Sequence, residues 1–146
     1  MNDQTGQETA GAESGVLTAF QVEVARLFFS LPAASGFLLA GGAALIAQCL
    51  SVRPTRDLDL FTAPGRGDVA AACAALEEAA SRRGWGVERI QQGESFIRMV
   101  VRAPGEAVLV DLAVDAAPEG APSQTAVGPT LEADELAGRK VIALFD

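Results

Sequence analysis

Residues 38–61 read LLAGGAALIAQCLSVRPTRDLDLF, and this stretch decides which fold the sequence can adopt. Its first apolar run is typical of a buried strand, and Gly41 and Gly42 separate that run from AALIAQCL, which has the pattern of a helix. Its last run carries Asp57 and Asp59 at alternate positions. Because residues i and i+2 of a strand lie on the same face of a sheet, this run places two carboxylates side by side. Like charges at that separation repel unless a cation lies between them.

The flanking sequence predicts one mixed α/β domain over residues 15–146, after a polar and disordered tail at residues 1–14. The domain is predicted to begin with a helix from Val16 to Leu31 and to continue through the strand FLLA, the helix AALIAQCL and the strand DLDLFT. A helix at 68–83, three strands in WGVERI, FIRMVVRA and EAVLVDLAVD, a loop in AAPEGAPSQTAVGP and a last helix capped by Thr130 complete it. This order predicts a mixed sheet flanked by helices.

A third carboxylate comes from the strand predicted in VLVDLAVD, which alternates with period two. Val108, Val110, Leu112 and Val114 take one face of that strand. Asp111 therefore projects from the opposite face of an otherwise apolar strand.

Three aspartates beside a Gly-Gly turn have a known chemical use. Free amides at a helix N-terminus bind phosphate, and glycine lets the backbone approach a ligand closely. Carboxylate oxygens hold Mg²⁺, and two such ions can stabilise both the attacking and the leaving oxygen of an in-line displacement. The alternatives are that Gly41 and Gly42 form only a turn, that the D-x-D is a solvated strand face or a pair of caps, or that it serves a nucleotide-sugar transferase.

The amino-acid composition excludes several classes of protein function. The formal net charge of −8 argues against broad electrostatic binding of nucleic acid, so any nucleic acid must be contacted locally. The absence of histidine excludes an imidazole-based triad and histidine-ligated zinc. Cys49 and Cys73 have no metal-ligand or disulfide spacing and are interpreted as reduced, buried thiols. No apolar run is long enough to predict a membrane span, and we expect a cytoplasmic protein.

The order of these motifs resembles nucleotidyltransferases of the DNA polymerase beta-like superfamily. More narrowly, Arg53, Thr55, Asp57, Asp59 and Phe61 resemble the R-x-[ST]-x-D-x-D-x-F stretch of AbiEii-type toxins from bacterial type IV toxin–antitoxin systems. The resemblance extends over roughly residues 19–146. It implies the nucleotidyltransferase fold and an enzyme.

The resemblance also implies the triphosphate site and the metal site. Gly41 and Gly42 would hold the triphosphate of the substrate, and Arg53 and Thr55 would assist them. The D-x-D aspartates would ligate Mg²⁺.

Two further residues take implied roles in catalysis. Asp111 would complete the metal-binding carboxylates and activate the acceptor hydroxyl. Lys140, the only lysine against ten arginines, lies at the edge of an apolar helical stripe, where its ammonium could contact phosphate; the alternative is a snorkelling surface lysine. By contrast, Cys73 is interpreted as a packing residue and Arg98 as part of a solvated face.

The implied function is Mg²⁺-dependent transfer of a nucleotide from a nucleoside triphosphate to a hydroxyl acceptor such as the end of an RNA, for example a tRNA, by a toxin with a cognate antitoxin partner. Relatives continue beyond the LFD stretch with an Arg-Asp pair and a further helical region, so we expect a core domain truncated at its C-terminus. The alternatives are a non-catalytic module of the same fold that binds a nucleotide or a partner protein, and a metal-dependent transferase that uses a nucleotide sugar.

Overall fold

The computed structural model describes residues 17–47 and 57–131. Helices are α1 (Ala19–Phe29), a short 3₁₀ helix (Pro32–Ala34), α2 (Gly41–Ala47) and α3 (Val69–Arg82). Strands are β1 (Phe37–Ala40), β2 (Asp57–Thr62), β3 (Gly86–Gln92), β4 (Phe96–Ala103), β5 (Glu106–Val114), β6 (Ser123–Thr125) and β7 (Gly128–Thr130).

The strands of the described residues form one seven-stranded sheet in the order β3-β4-β5-β2-β1-β7-β6. The β2–β5 and β1–β7 pairs are parallel, and the other neighbours are antiparallel. The predicted mixed sheet with flanking helices is therefore confirmed. Strand β2, which carries the D-x-D, lies in the interior of the sheet between β1 and β5.

Local signals set the helix boundaries. The Thr18 hydroxyl accepts a hydrogen bond from the Gln21 amide while the Gln21 side chain accepts one from the Thr18 amide, so a capping box starts α1. The predicted N-cap Asp68 accepts a hydrogen bond from the Ala71 amide at the start of α3. The chain leaves α3 through Gly84, whose φ of +79° favours glycine.

The two faces of the sheet differ in composition. Alternate side chains of β2 and β5, including Leu58 and Val110, are fully buried in the core with side chains of α1 and α3. Both helices contact β5, and α3 also contacts β3 and β4. The opposite face of β2 and β5 carries half-buried side chains, among them the aspartates of the predicted site.

The prediction of a loop over AAPEGAPSQTAVGP is wrong for the second half of this stretch. Residues 123–125 and 128–130 form the β6–β7 hairpin, and Leu39 of β1 pairs with Thr130 of β7. This pairing joins segments that are far apart in the sequence, so no local sequence pattern predicts it. Thr130 consequently lies fully buried at the end of β7, and the helix that it was predicted to cap lies outside the described residues.

Some predictions fall outside the described residues. These are the disordered tail at 1–14, the placement of Cys49 and the course of the last helix beyond residue 131. The proposed domain limits therefore stay predictions. Of the helices in residues 17–47 and 57–131, none combines the length and apolarity that crossing a membrane requires.

The start of β1 is fixed against the turn that follows β2. Thr62 donates its hydroxyl proton to the carbonyl oxygen of Gly36 at 2.7 Å. Gly36 has a φ of +87°, and a Cβ atom there would overlap the carbonyl oxygen of Arg66. Glycine therefore allows β1 and this turn to pack directly on each other.

Replacing Gly36 by alanine should destabilise the protein more than Gly65→Ala. Both glycines have positive φ values, so each alanine costs about 1 kcal/mol in backbone strain. Only at Gly36 does the new Cβ also meet backbone, because nothing lies within 4 Å of a Cβ at Gly65. In urea denaturation we expect losses of about 3 kcal/mol and about 1 kcal/mol, respectively. Equal losses would show that the turn can move away from β1.

Candidate active site

Asp57 and Asp59 lie on one face of β2, as their alternation predicts. Both side chains are half-buried, while Leu58 and Leu60 between and after them are 0% and 1% exposed on the opposite face. The burial of the two leucines holds the register of the strand, because a slip by one residue would exchange the two faces. The core therefore fixes where these carboxylates lie.

Asp111 joins them from the neighbouring strand. In the parallel pairing of β2 with β5, Asp59 and Asp111 are register partners, so their side chains project from the same face. The two carboxyl groups therefore lie close enough for the charge of Asp111 to act on Asp59. Burial in the first place, followed by the negative charges of Asp111 and Asp57, raises the pKa of Asp59 from an ordinary 3.8 to about 6. The three aspartates predicted from the sequence are therefore brought together.

Arg98 is the site residue that the sequence interpretation missed. It lies opposite Asp111 in the β4–β5 pairing and binds both carboxylate oxygens, with Nε–Oδ1 at 2.8 Å and Nη2–Oδ2 at 3.0 Å. Its guanidinium carbon also lies 5.7 Å from the centre of the Phe96 ring. The hydrogen bond to Asp111, helped by the carboxylate charge, raises the pKa of Arg98. The predicted solvated position of Arg98 agrees with a side chain that is 40% exposed, but the sequence interpretation did not include the ion pair with Asp111.

A sequence signal for this pair did exist. Pro104 and Gly105 connect β4 to β5 as a two-residue turn, and Ala103 pairs with Glu106 across it. Counting back along both strands from this turn brings Arg98 opposite Asp111.

Gly41 lies beside the Asp59 carboxylate on the β1 side of β2. Ala40 pairs with Asp59, and Gly41 follows it with a φ of +66° as the first residue of α2. A Cβ atom at Gly41 would overlap the Oδ2 atom of Asp59. The strand therefore passes directly into the helix, and Gly41 leaves room for a carboxylate. Gly42 lies half-buried in the same turn.

The residues fit a divalent cation in part. Within residues 17–47 and 57–131, no group of three or more acidic, cysteine or histidine side chains is arranged to hold a metal ion. Asp111 instead has both oxygens on Arg98. The donor atoms are nonetheless carboxylate oxygens, which Mg²⁺ prefers, and such a cation would relieve the repulsion that, after burial, raises the pKa of Asp59. A metal site formed by all three aspartates stays a prediction.

Three predicted site residues fall outside the described residues. Arg53 and Thr55 precede β2, and Lys140 follows the last described residue, Leu131. Their implied roles in triphosphate binding and catalysis stay predictions.

The protein is thus of the α/β class, with a mixed sheet. Acidic side chains in the first half of β2 and at the paired position of β5 form a candidate phosphoryl-transfer site. Residues 22–116 match the family described as nucleotidyl transferase of unknown function (DUF2204). The chain belongs to this family.

Solved structures agree on the fold. JHP933 from Helicobacter pylori aligns with 89% of this chain at a TM-score of 0.62 and 17% identity. A candidate nucleotidyltransferase from H. pylori aligns with 97% of it at a TM-score of 0.56 and 15% identity. This chain covers 60% and 59% of those two proteins. No curated protein matches the sequence significantly.

Asp59→Asn should stabilise the metal-free protein at neutral pH. Because the pKa of Asp59 rises from 3.8 to about 6 on folding, the native state binds more protons than the unfolded chain between these values. The contribution of this carboxyl to stability therefore falls as the pH rises through that window. Between about pH 4 and pH 7, the free energy of unfolding in urea and EDTA should drop about 2 kcal/mol more for wild type than for the variant.

Asp68→Asn is the matched control for this measurement, because it removes the same charge and asparagine also caps a helix. Its profile should retain the drop in stability that Asp59 causes between about pH 4 and pH 7. A profile of Asp59→Asn that coincides with wild type would contradict the buried, crowded environment described for this carboxyl.

Proposed function

We propose that this chain is the core of a Mg²⁺-dependent nucleotidyltransferase, which moves a nucleotide from a nucleoside triphosphate to a hydroxyl acceptor. The observation that carries the proposal is the pairing of Asp59 with Asp111 in adjacent parallel strands, with Asp57 on the same face. Membership of a nucleotidyl transferase family supports the reaction class. The structural neighbours support the fold alone.

Each aspartate takes a distinct task in this proposal. Asp57 and Asp59 would hold Mg²⁺, which supplies charge neutralisation to the triphosphate when bound. Asp111 would accept the proton of the acceptor hydroxyl as its oxygen forms a bond to the α-phosphorus. The bond from that phosphorus to the β-phosphate oxygen breaks, and pyrophosphate leaves with the electron pair.

Residues around the carboxylates would position the triphosphate. Gly41 lies beside Asp59 where a side chain would obstruct the carboxylate, and the backbone of Gly41 and Gly42 would approach the phosphates. By the resemblance to AbiEii-type toxins, Arg53 and Thr55 would assist them and Lys140 would contact a phosphate. The same resemblance supports an RNA acceptor and a cognate antitoxin as partners.

Arg98 would set the orientation of the Asp111 carboxylate. Its guanidinium holds both oxygens of that carboxylate in a fixed plane, so Asp111 is oriented before substrate arrives. The same contact competes with Mg²⁺ for Asp111. The Arg98–Asp111 ion pair therefore favours a role for Asp111 at the acceptor hydroxyl. The two D-x-D aspartates would then be the main metal ligands.

A non-catalytic nucleotide-binding module of the same fold is the second candidate. It is favoured by one observation, the bidentate Arg98–Asp111 ion pair, which would keep Asp111 from the acceptor if it never opened. Turnover distinguishes the two, because a binding module retains the triphosphate without releasing pyrophosphate.

The central test is titration of the protein with each ribonucleoside triphosphate in the presence and absence of Mg²⁺, followed by pyrophosphate release with total RNA. Binding should require Mg²⁺ and should weaken at least about tenfold in Asp57→Asn, because a charge-assisted contact is worth about 1.5–3 kcal/mol. Asp68→Asn serves as the charge-matched control and should bind like wild type. Equal affinity in Asp57→Asn and Asp68→Asn would refute the metal site.

Arg98→Ala should tighten Mg²⁺ binding in the absence of nucleotide. The change removes a positive charge beside the carboxylates and releases both Asp111 oxygens, and about 1 kcal/mol of screened repulsion corresponds to roughly fivefold in affinity. Arg102→Ala is the matched control, since Arg102 lies four residues along the same strand and pairs with Glu88 at 3.0 Å. If calorimetry shows the same change in Mg²⁺ affinity in both variants, Arg98 has no specific effect on the metal site.

A further inference from the structure

We infer that the pocket beyond the C-terminal end of β2 receives the terminal nucleotide of a single-stranded RNA acceptor, with Arg66 contacting its phosphate. The inference rests on the proposed function, because it assigns the acceptor subsite of the same reaction. It adds a binding site and a recognition residue that the aspartate cluster does not include.

The pocket has a volume of about 390 Å³, within the range of small-ligand sites. Its lining is mainly apolar and includes Leu38, Phe61, Arg66, Pro118, Pro122 and Pro129. The proline rings are the more exposed part of this apolar lining, and their rigid apolar surfaces can pack against a nucleobase without regard to its identity. The pocket thus offers apolar walls with one cationic side chain.

This pocket adjoins the aspartates on the same face of the sheet. Leu38 pairs with Phe61 directly beside the Ala40–Asp59 pair. Because Phe61 is two residues after Asp59, it projects from the same face at a distance of about 7 Å along the strand. A nucleotide in the pocket can therefore direct its ribose hydroxyl toward Asp59 and Asp111.

The geometry of displacement assigns the pocket to the acceptor. Gly41 follows Ala40, the register partner of Asp59, so the proposed triphosphate contacts extend toward the Asp57 end of β2. Attacking and leaving oxygens of a phosphoryl transfer lie roughly in line on opposite sides of phosphorus. With the leaving pyrophosphate toward Asp57, the attacking hydroxyl comes from the Phe61 side, where the pocket lies.

Arg66 has the properties that phosphate recognition requires. Its side chain is exposed, and among the described side chains none forms an ion pair with it. Its backbone is fixed, since its amide donates to the Ala63 carbonyl oxygen and its own carbonyl oxygen packs against Gly36. A guanidinium offers five donors for phosphate oxygens. In a chain of net charge −8, such a local cation is what RNA contact needs.

The test uses the whole chain and two probes, a fluorescein-labelled RNA hexamer of random sequence and the four ribonucleoside triphosphates with Mg²⁺. Arg66→Ala should weaken hexamer binding about tenfold and lower the slope of log affinity against log salt by about 0.7. It should leave triphosphate affinity unchanged. Asp57→Asn should do the reverse, weakening triphosphate binding and sparing the hexamer.

Arg82→Ala is the control, because it makes the same charge change at a side chain that is 75% exposed on α3. Hexamer affinity that falls equally in Arg66→Ala and Arg82→Ala, or a wild type that does not bind the hexamer, overturns the inference. If wild type shows no Mg²⁺-dependent triphosphate binding while its hexamer binding still depends on Arg66, the proposed function is refuted, and the pocket binds RNA but is not the acceptor subsite of this reaction.

Discussion

The pairing of β2 with β5 is the constraint on which the rest of this site depends. Buried leucines and valines on the core face of both strands fix their register, and that register makes Asp59 and Asp111 direct neighbours. The two carboxylates are thus crowded by the packing of the opposite face. Their repulsion is a consequence of core formation, and the fold must tolerate it.

The neighbouring elements moderate that crowding in different ways. On β4, Arg98 supplies a guanidinium that satisfies both oxygens of Asp111. On the β1 side, Gly41 supplies only space, since any larger residue would overlap Asp59. Among the described residues, an arginine therefore compensates carboxylate charge on the β4 flank, while Gly41 leaves open space beside Asp59 on the β1 flank.

Most of the fold could be predicted from local sequence patterns. The strands FLLA and DLDLFT have the predicted bounds, and Asp68 caps α3 as expected. Period-two alternation also placed Asp111 on the correct face of β5. These features depend on residues close together in the chain, where burial and capping leave a direct pattern.

The features that escaped prediction are those that depend on distant partners. The β6–β7 hairpin forms because β7 pairs with β1, about ninety residues earlier in the chain, and its proline and glycine content is typical of a loop. The ion pair of Arg98 was not predicted because a strand arginine next to apolar residues has the pattern of a solvated face, and only the register across the turn identifies its partner. The phosphate contact predicted for Gly41 stays a prediction, and the structure adds a carboxylate as a reason for glycine there.

The distribution of arginines connects the site with the acidic character of the chain. Arg82, Arg89 and Arg102 each pair with a glutamate, and these contacts satisfy surface charges without creating a basic field. Arg98 is held at the carboxylates, and Arg66 lines the neighbouring pocket. If a chain of net charge −8 binds RNA as proposed, its cationic contacts must be concentrated, because long-range attraction is absent and each phosphate must be contacted individually. Affinity for an acceptor would then depend on a few fixed contacts, and its specificity on the shape of the pocket beside the carboxylates.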